Sequence, residues 1–155
     1  MTPPLTVLAP VAGTVVAMAD VPDPVFAGEL VGPGLAIDPA RDGGTVAALA
    51  PVAGTIAKLH AHAFVIQVDA ERGALVHLGL DTVQLAGEGF TLLAAEGDTV
   101  AAGDPVVRWD PAAVEAGGRS PICPVVALQA MAGAVVPLAS VGATVDAGAP
   151  LLEWS

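Results

Sequence analysis

The stretch His62-Ala-Phe-Val-Ile-Gln-Val-Asp-Ala-Glu-Arg-Gly-Ala-Leu-Val-His77 sets two strand-length apolar runs on either side of a turn. The run Ala63–Val68 is rich in β-branched and aromatic residues. Ala74–Gly79 is apolar apart from its histidine, and Asp69-Ala-Glu-Arg-Gly73 between them has turn chemistry. The pattern predicts a β-hairpin with His62 and His77 opposite each other across the strand pair, a few Å apart at the side chains, once the register puts both on one side of the sheet.

The same punctuation extends outward in both directions. Gly13-Thr-Val-Val-Ala-Met18, Thr45-Val-Ala-Ala-Leu49 and Gly54-Thr-Ile-Ala-Lys-Leu59 are further strand-length runs, each bounded by Gly, Pro or Asp. Many short strands at close spacing predict an all-β fold, a single-domain antiparallel β-sandwich or barrel-like structure with little helix. The one clear helical signal is Pro111-Ala-Ala-Val-Glu-Ala116, with Pro at its first position and Gly117-Gly118 past its end.

Two internal repeats reinforce this reading. Ala9-Pro-Val-Ala-Gly-Thr14 recurs letter for letter at Ala50-Pro-Val-Ala-Gly-Thr55, and Gly97–Asp110 matches Gly142–Ser155 through G-x-T-V-x-A-G-x-P and a closing Trp. The copies are too few and too unevenly spaced for a solenoid and predict paired turns within one sandwich, with Trp109 and Trp154 as core plugs. The G-x-T-V-x-A-G-x-P phrase also occurs in lipoyl and biotinyl carrier domains. Those carry their prosthetic group on a hairpin-tip lysine, whereas the only lysine here, Lys58, stands in Ile56-Ala-Lys-Leu-His60 without that context.

Composition bounds the function. Hydrophobic residues make up 54% and mean hydropathy is +0.72, yet Pro and Gly interrupt every apolar stretch short of the ~18 residues a spanning helix needs. Met1–Asp20 has no basic residue ahead of its apolar part and does not read as a signal peptide. Five Lys+Arg against 16 Asp+Glu give a net charge of −11, which argues against nucleic acid or an anionic membrane as partner and for a basic protein surface. The single cysteine, Cys123, excludes an internal disulfide and a Cys-clustered metal site, and reads as a small buried hydrophobe. These bounds predict a soluble, acidic, intracellular protein, one domain over residues 1–155.

Chemistry then rests on the histidines. A single histidine on an apolar strand is by default a satisfied core residue, but two cross-strand neighbours can coordinate a metal, act as acid and base, or carry a phosphoryl group on nitrogen. Metal binding by the pair alone is poorly supported, since zinc takes three or four ligands. There is no G-x-S-x-G nucleophile elbow and no G-x-x-x-x-G-K-[ST] phosphate loop.

Residues 76–90, Val-His-Leu-Gly-Leu-Asp-Thr-Val-Gln-Leu-Ala-Gly-Glu-Gly-Phe, resemble the signature hHxGhDTVxLxGxGF of the glucose-family enzyme IIA component of the bacterial phosphoenolpyruvate-dependent sugar phosphotransferase system. Ala9-Pro-Val-Ala-Gly13, Val21-Pro-Asp-Pro-Val-Phe26, Val31-Gly-Pro-Gly34, Ile37-Asp-Pro39, Ala50–Thr55 and His62-Ala63 are similar to the same family. The likeness runs from about residue 7 to 110 and more loosely through Pro124-Val-Val126.

The resemblance implies a cytoplasmic phosphocarrier that takes a phosphoryl group from the phosphocarrier protein HPr and passes it to a cysteine on the IIB domain of a sugar permease for glucose, N-acetylglucosamine or a glucoside. By motif position His77 is phosphorylated through Nε2, His62 supports it by hydrogen-bonding the phosphoryl oxygens, and Asp81 orients the donor or the pair. Val25, Phe26, Val31, Phe64 and Leu75 fall on positions of an apolar rim that meets the partners. Core filling suits Leu75 better than Phe26, which lies in a Pro-bounded loop. No cofactor is implied; zinc at His62 and His77 would need a ligand from a partner. The resemblance also implies a lone IIA domain, with IIB and IIC on other chains. The family's Thr two residues before the supporting histidine is replaced by His60, read here as a solvated loop residue. The alternative is a non-catalytic regulatory or metal-bridging protein using the same histidine pair.

Overall fold

A computed structural model of the chain describes residues 4–155, so the first three residues of the expected domain lie outside the described residues. Each punctuated apolar run becomes a strand. In chain order these are β1 Leu5–Leu8, β2 Gly13–Ala17, β3 Gly34–Pro39, β4 Val46–Leu49, β5 Gly54–Leu59, β6 Ala63–Gln67 and β7 Gly73–His77. After them come β8 Thr91–Leu92, β9 Thr99–Val100, β10 Pro105–Trp109, β11 Cys123–Ala127, β12 Val135–Pro137, β13 Thr144–Val145 and β14 Pro150–Trp154. Two short helices, α1 Pro24–Ala27 and α2 Pro111–Ala116, interrupt them. The second is the expected one: Asp110 caps it by accepting from the Ala112 and Ala113 amides, and Gly117 closes it.

The described strands pair antiparallel throughout. The large sheet runs β13-β2-β3-β11-β7-β6-β5-β9, and two smaller sheets run β1-β14-β12 and β4-β10-β8. This is the all-β sandwich that the run lengths predict.

The sequence repeats occupy equivalent places about an internal pseudo-twofold. The Leu8 amide donates to the Pro51 carbonyl at 2.8 Å, and the Leu49 amide to the Pro10 carbonyl at 2.9 Å. Ala9 donates to Ala149 and Ala50 to Asp104, both at 2.8 Å; Gly148 returns a bond to Ala9 and Gly103 to Ala50. Each A-P-V-A-G-T copy therefore crosses its twin and is clasped by one G-x-T-V-x-A-G copy. The glycine is required in both. A Cβ on Gly13 would stand 2.2 Å from the Asp38 carbonyl oxygen, and one on Gly54 would stand 2.2 Å from that of Gln67.

Strand alternation divides the apolar residues into two clusters. The main core lies between the sheets and holds Ile37, Ile56, Phe64, Ile66, Val76, Trp109, Cys123 and Trp154, so both tryptophans plug the core. A second, smaller cluster covers the opposite face of the large sheet. Ala36 of β3 and Val126 of β11 form its floor, and Met18, Val21 and Phe26 fold over it from the segment between β2 and β3, with Leu75 and Val31 packed alongside. The histidines sit at the edge of this second cluster.

Candidate active site

Strands β6 and β7 form the expected hairpin, from Gln67 paired with Gly73 to Ala63 paired with His77. The register differs from the expectation by one residue: Ala63, not His62, stands directly opposite His77. His62 lies in the bend just before β6, with its carbonyl accepting from the Leu78 amide at 2.7 Å. Regular alternation would send its side chain to the opposite face, but the bend releases it from the pleat. Its ring meets that of His77 at 5.3 Å between centroids and an interplanar angle of 70°. The histidines do come together, by the end of a strand rather than by cross-strand opposition.

Beside His62, His77 is held by the backbone and by an aromatic ring. Its Nδ1 lies 2.5 Å from the carbonyl oxygen of Gly79. A carbonyl only accepts, so in the neutral ring Nδ1 carries the proton and Nε2 keeps its lone pair. Phe26 meets the imidazole edge-to-face at 5.2 Å. The turn that supplies the Gly79 carbonyl is itself pinned. Gly79 has φ +83°, and a Cβ there would meet Thr82 Cγ2 at 2.7 Å. The fully buried Thr82 donates its hydroxyl to the Leu78 carbonyl at 2.8 Å.

Burial is the largest influence on both imidazoles and lowers both pKa values. For His77 the Gly79 carbonyl, Asp23 and Asp81 oppose that shift; for His62 the neighbouring His77 and His60 add to it. Both rings are thereby biased toward the neutral form, which a nitrogen nucleophile needs. Asp81 stands at the exposed start of the 3-10 turn Thr82–Leu85 with φ 59°, and acts on His77 through its charge. Asp23, which no motif singles out, has the stronger effect on His77 of the two. Its signal is visible in Val21-Pro-Asp-Pro24: an Asp followed by Pro is a helix start, and the Asp23 carboxylate accepts from the Val25 amide to cap α1.

The expected rim is only partly realised. Val25 is exposed and Val31 half-buried, both on the segment flanking the site. Phe64 does not belong to it. Directly paired residues share a face, and Phe64 pairs with the buried Val76, so its ring is fully enclosed in the main core. Leu75 pairs with Val65 and lies on the histidine side, half-buried. Phe26 lies on α1 rather than in an open loop, and at 7% exposure is the better buried of Phe26 and Leu75, reversing the expected order. His60 is exposed, as expected of a loop residue, but it is not free: its ring stacks on His62 at 5.7 Å and 23°. Cys123 is fully buried in the core, where desolvation pushes its thiol pKa far up.

No group of three or more His, Cys, Asp or Glu side chains is placed to hold a metal ion among the described residues. Two imidazoles, one with Nδ1 engaged by Gly79, do not amount to the three or four ligands of a zinc site. None of the described helices is long and apolar enough to cross a membrane.

Fold and site together define a small β-sandwich built around two facing imidazoles at the edge of an apolar cluster. The family described as "phosphoenolpyruvate-dependent sugar phosphotransferase system, EIIA 1" matches residues 5–133. The glucose-specific EIIA component of Oceanobacillus iheyensis is 41% identical over 124 residues, covering 79% of this chain and 73% of its own length. The N-acetylglucosamine-specific EIICBA component of Klebsiella pneumoniae is 36% identical over 150 residues, which is 96% of this chain but 22% of that longer protein. The solved glucose permease IIA of Mycoplasma capricolum superposes with a TM-score of 0.85 at 32% identity, over 98% of this chain and 96% of its own. The chain belongs to the EIIA 1 family of the phosphoenolpyruvate-dependent sugar phosphotransferase system, and is a phosphotransferase component of the glucose type.

Proposed function

We propose that residues 1–155 act as one cytoplasmic IIA unit in which His77 accepts a phosphoryl group from phosphorylated HPr and hands it to the IIB cysteine of a glucose-type permease. The observation that carries this reading is the 2.5 Å contact of Nδ1 with the Gly79 carbonyl, beside a second imidazole at 5.3 Å. Nε2 attacks phosphorus, the bond from phosphorus to the donor breaks, and its electron pair stays with the donor. In the second step the IIB thiolate attacks, the P–Nε2 bond breaks, and the pair returns to His77. His62 donates a ring N–H to the phosphoryl oxygens as charge moves, a contribution typical of preorganised donors at developing charge. Phe26, Val25, Val31 and Leu75 keep water from the N–P bond and meet the partner. Asp23 and Asp81, within an overall charge of −11, favour partners that present basic groups around the reacting atom. No cofactor enters; a zinc ion would find two imidazole ligands here and would need the rest from a partner.

Incubation with phosphoenolpyruvate, enzyme I and HPr tests this. One acid-labile, base-stable phosphoryl group is expected per chain and none on the His77→Ala variant. Labelling of that variant at another residue contradicts the assignment.

A further inference from the structure

His62 carries no hydrogen bond on its ring among the described residues; its ring partners are His77 on one side and His60 on the other. Its backbone, in contrast, is pinned. The Leu78 amide binds the His62 carbonyl at 2.7 Å, and the His60 amide binds the Ala63 carbonyl at 2.8 Å, closing a tight turn over residues 60–63. What remains free is rotation about the two side-chain torsions. His77 cannot restrain them throughout a reaction, because it is the ring that gains and loses the phosphoryl group. His60 stands outside that exchange. Its ring lies nearly parallel to His62, 23° between planes at 5.7 Å, and its own exposure means that burial does not explain the placement.

From this geometry we propose that His60 is a positioning residue for His62, a flat brace that sets the angle at which the His62 ring N–H meets the phosphoryl group on His77. This rests on the phosphocarrier reading above. Stacking a planar ring on a planar ring removes the rotamers that turn the His62 edge away, while leaving its nitrogens free to donate. The requirement is for a flat ring, not for a titrating one.

Transfer from the phosphorylated full chain to a IIB domain tests this in five proteins: wild type, His60→Ala, His60→Phe, His62→Ala and the double variant His60→Ala/His62→Ala. The expected result is a kcat about tenfold lower in His60→Ala with KM unchanged, smaller than the ~10²–10³ loss for deleting a donor itself. His60→Phe should recover to within about twofold, and the double variant should be no slower than His62→Ala alone, since His60 acts only through His62. In proton–nitrogen NMR spectra the His62 ring resonances should move in His60→Ala while those of His77 stay. Wild-type kcat in His60→Ala, a change confined to KM, failure of Phe to rescue, or an equal further loss on the His62→Ala background overturns the brace. Absence of phosphate on wild-type His77 is a different outcome and overturns the reading on which the brace rests.

Discussion

The ring of Phe26 meets the imidazole of His77 edge-to-face, 5.2 Å between centroids and 61° between planes. It is supplied by α1, whose cap is Asp23. The helix and its cap residue thus bring to His77 both an apolar ring, in a site where burial lowers its pKa, and a carboxylate that raises it. With His77 as the proposed acceptor, a neutral ring is needed to take phosphate, so the acid limb of the rate should follow this balance.

Substitutions on that turn should shift the acid limb in opposite directions. Phe26→Ala admits water, weakens the desolvation that dominates, and moves the His77 pKa up toward 6.5, so that acceptance fails at a higher pH. Removing a largely buried Phe also costs about 3 kcal/mol of stability. Asp23→Asn removes a carboxylate that favours the imidazolium, moving the pKa and the acid limb further down. NMR titration of His77 in both variants reads this directly; shifts of the same sign contradict it.

Global stability should follow the same protons. The folded pKa values of His62 and His77 lie below the ordinary 6.5, so just under that pH the unfolded chain binds more protons than the folded one. Stability is fully present above 6.5 and declines as pH falls from there through the folded values. Urea midpoints at pH 8 and pH 5 should therefore differ in the wild type by more than in His77→Ala. Equal differences contradict it.

The two imidazoles should separate kinetically. His62→Gln keeps an N–H but loses the rigid ring that preorganises it as a donor. It should still accept phosphate from HPr and pass it to IIB ~10²–10³ times more slowly. Loss of acceptance in His62→Gln with retention in His77→Gln reverses the two roles.

The internal twofold makes a prediction in pairs. Gly13→Ala and Gly54→Ala each drive a Cβ to 2.2 Å from a carbonyl oxygen, on β3 and β6 respectively. Overpacking of this kind costs about 1–3 kcal/mol or more, and equivalent contacts imply similar losses. Denaturant unfolding should show both variants weakened to a comparable degree; a neutral effect at either site contradicts the pseudo-symmetric packing.

The sheet and its repeats are legible because they are written in run lengths and turn residues: the repeated words around Gly13 and Gly54, and around Gly97 and Gly142, mark equivalent backbone positions. The hairpin is legible too, from Asp69–Gly73 between two apolar runs. The register is not, because a bend of two residues at Ala61 and His62 decides which ring faces His77, and no periodicity encodes a bend. Phe64 is misplaced for a related reason. The motif names positions along the chain, while the pleat assigns faces, and pairing with Val76 turns Phe64 inward. Phe26 is legible as a rim position, but its place on α1 and the part of Asp23 show only in a cap signal, since a helix of four residues has no periodicity to detect. The His60 stack depends on side-chain angles that the sequence does not carry.

With the Gly79 carbonyl holding the Nδ1 proton of His77, Nε2 is the proposed atom that takes the phosphoryl group. Phosphorylating the protein uniformly labelled with nitrogen-15 and recording phosphorus–nitrogen couplings within the His77 ring tests it most directly. A phosphoryl group on Nε2 is expected, with Nδ1 still protonated toward Gly79. A phosphoryl group on Nδ1, or on His62, contradicts it.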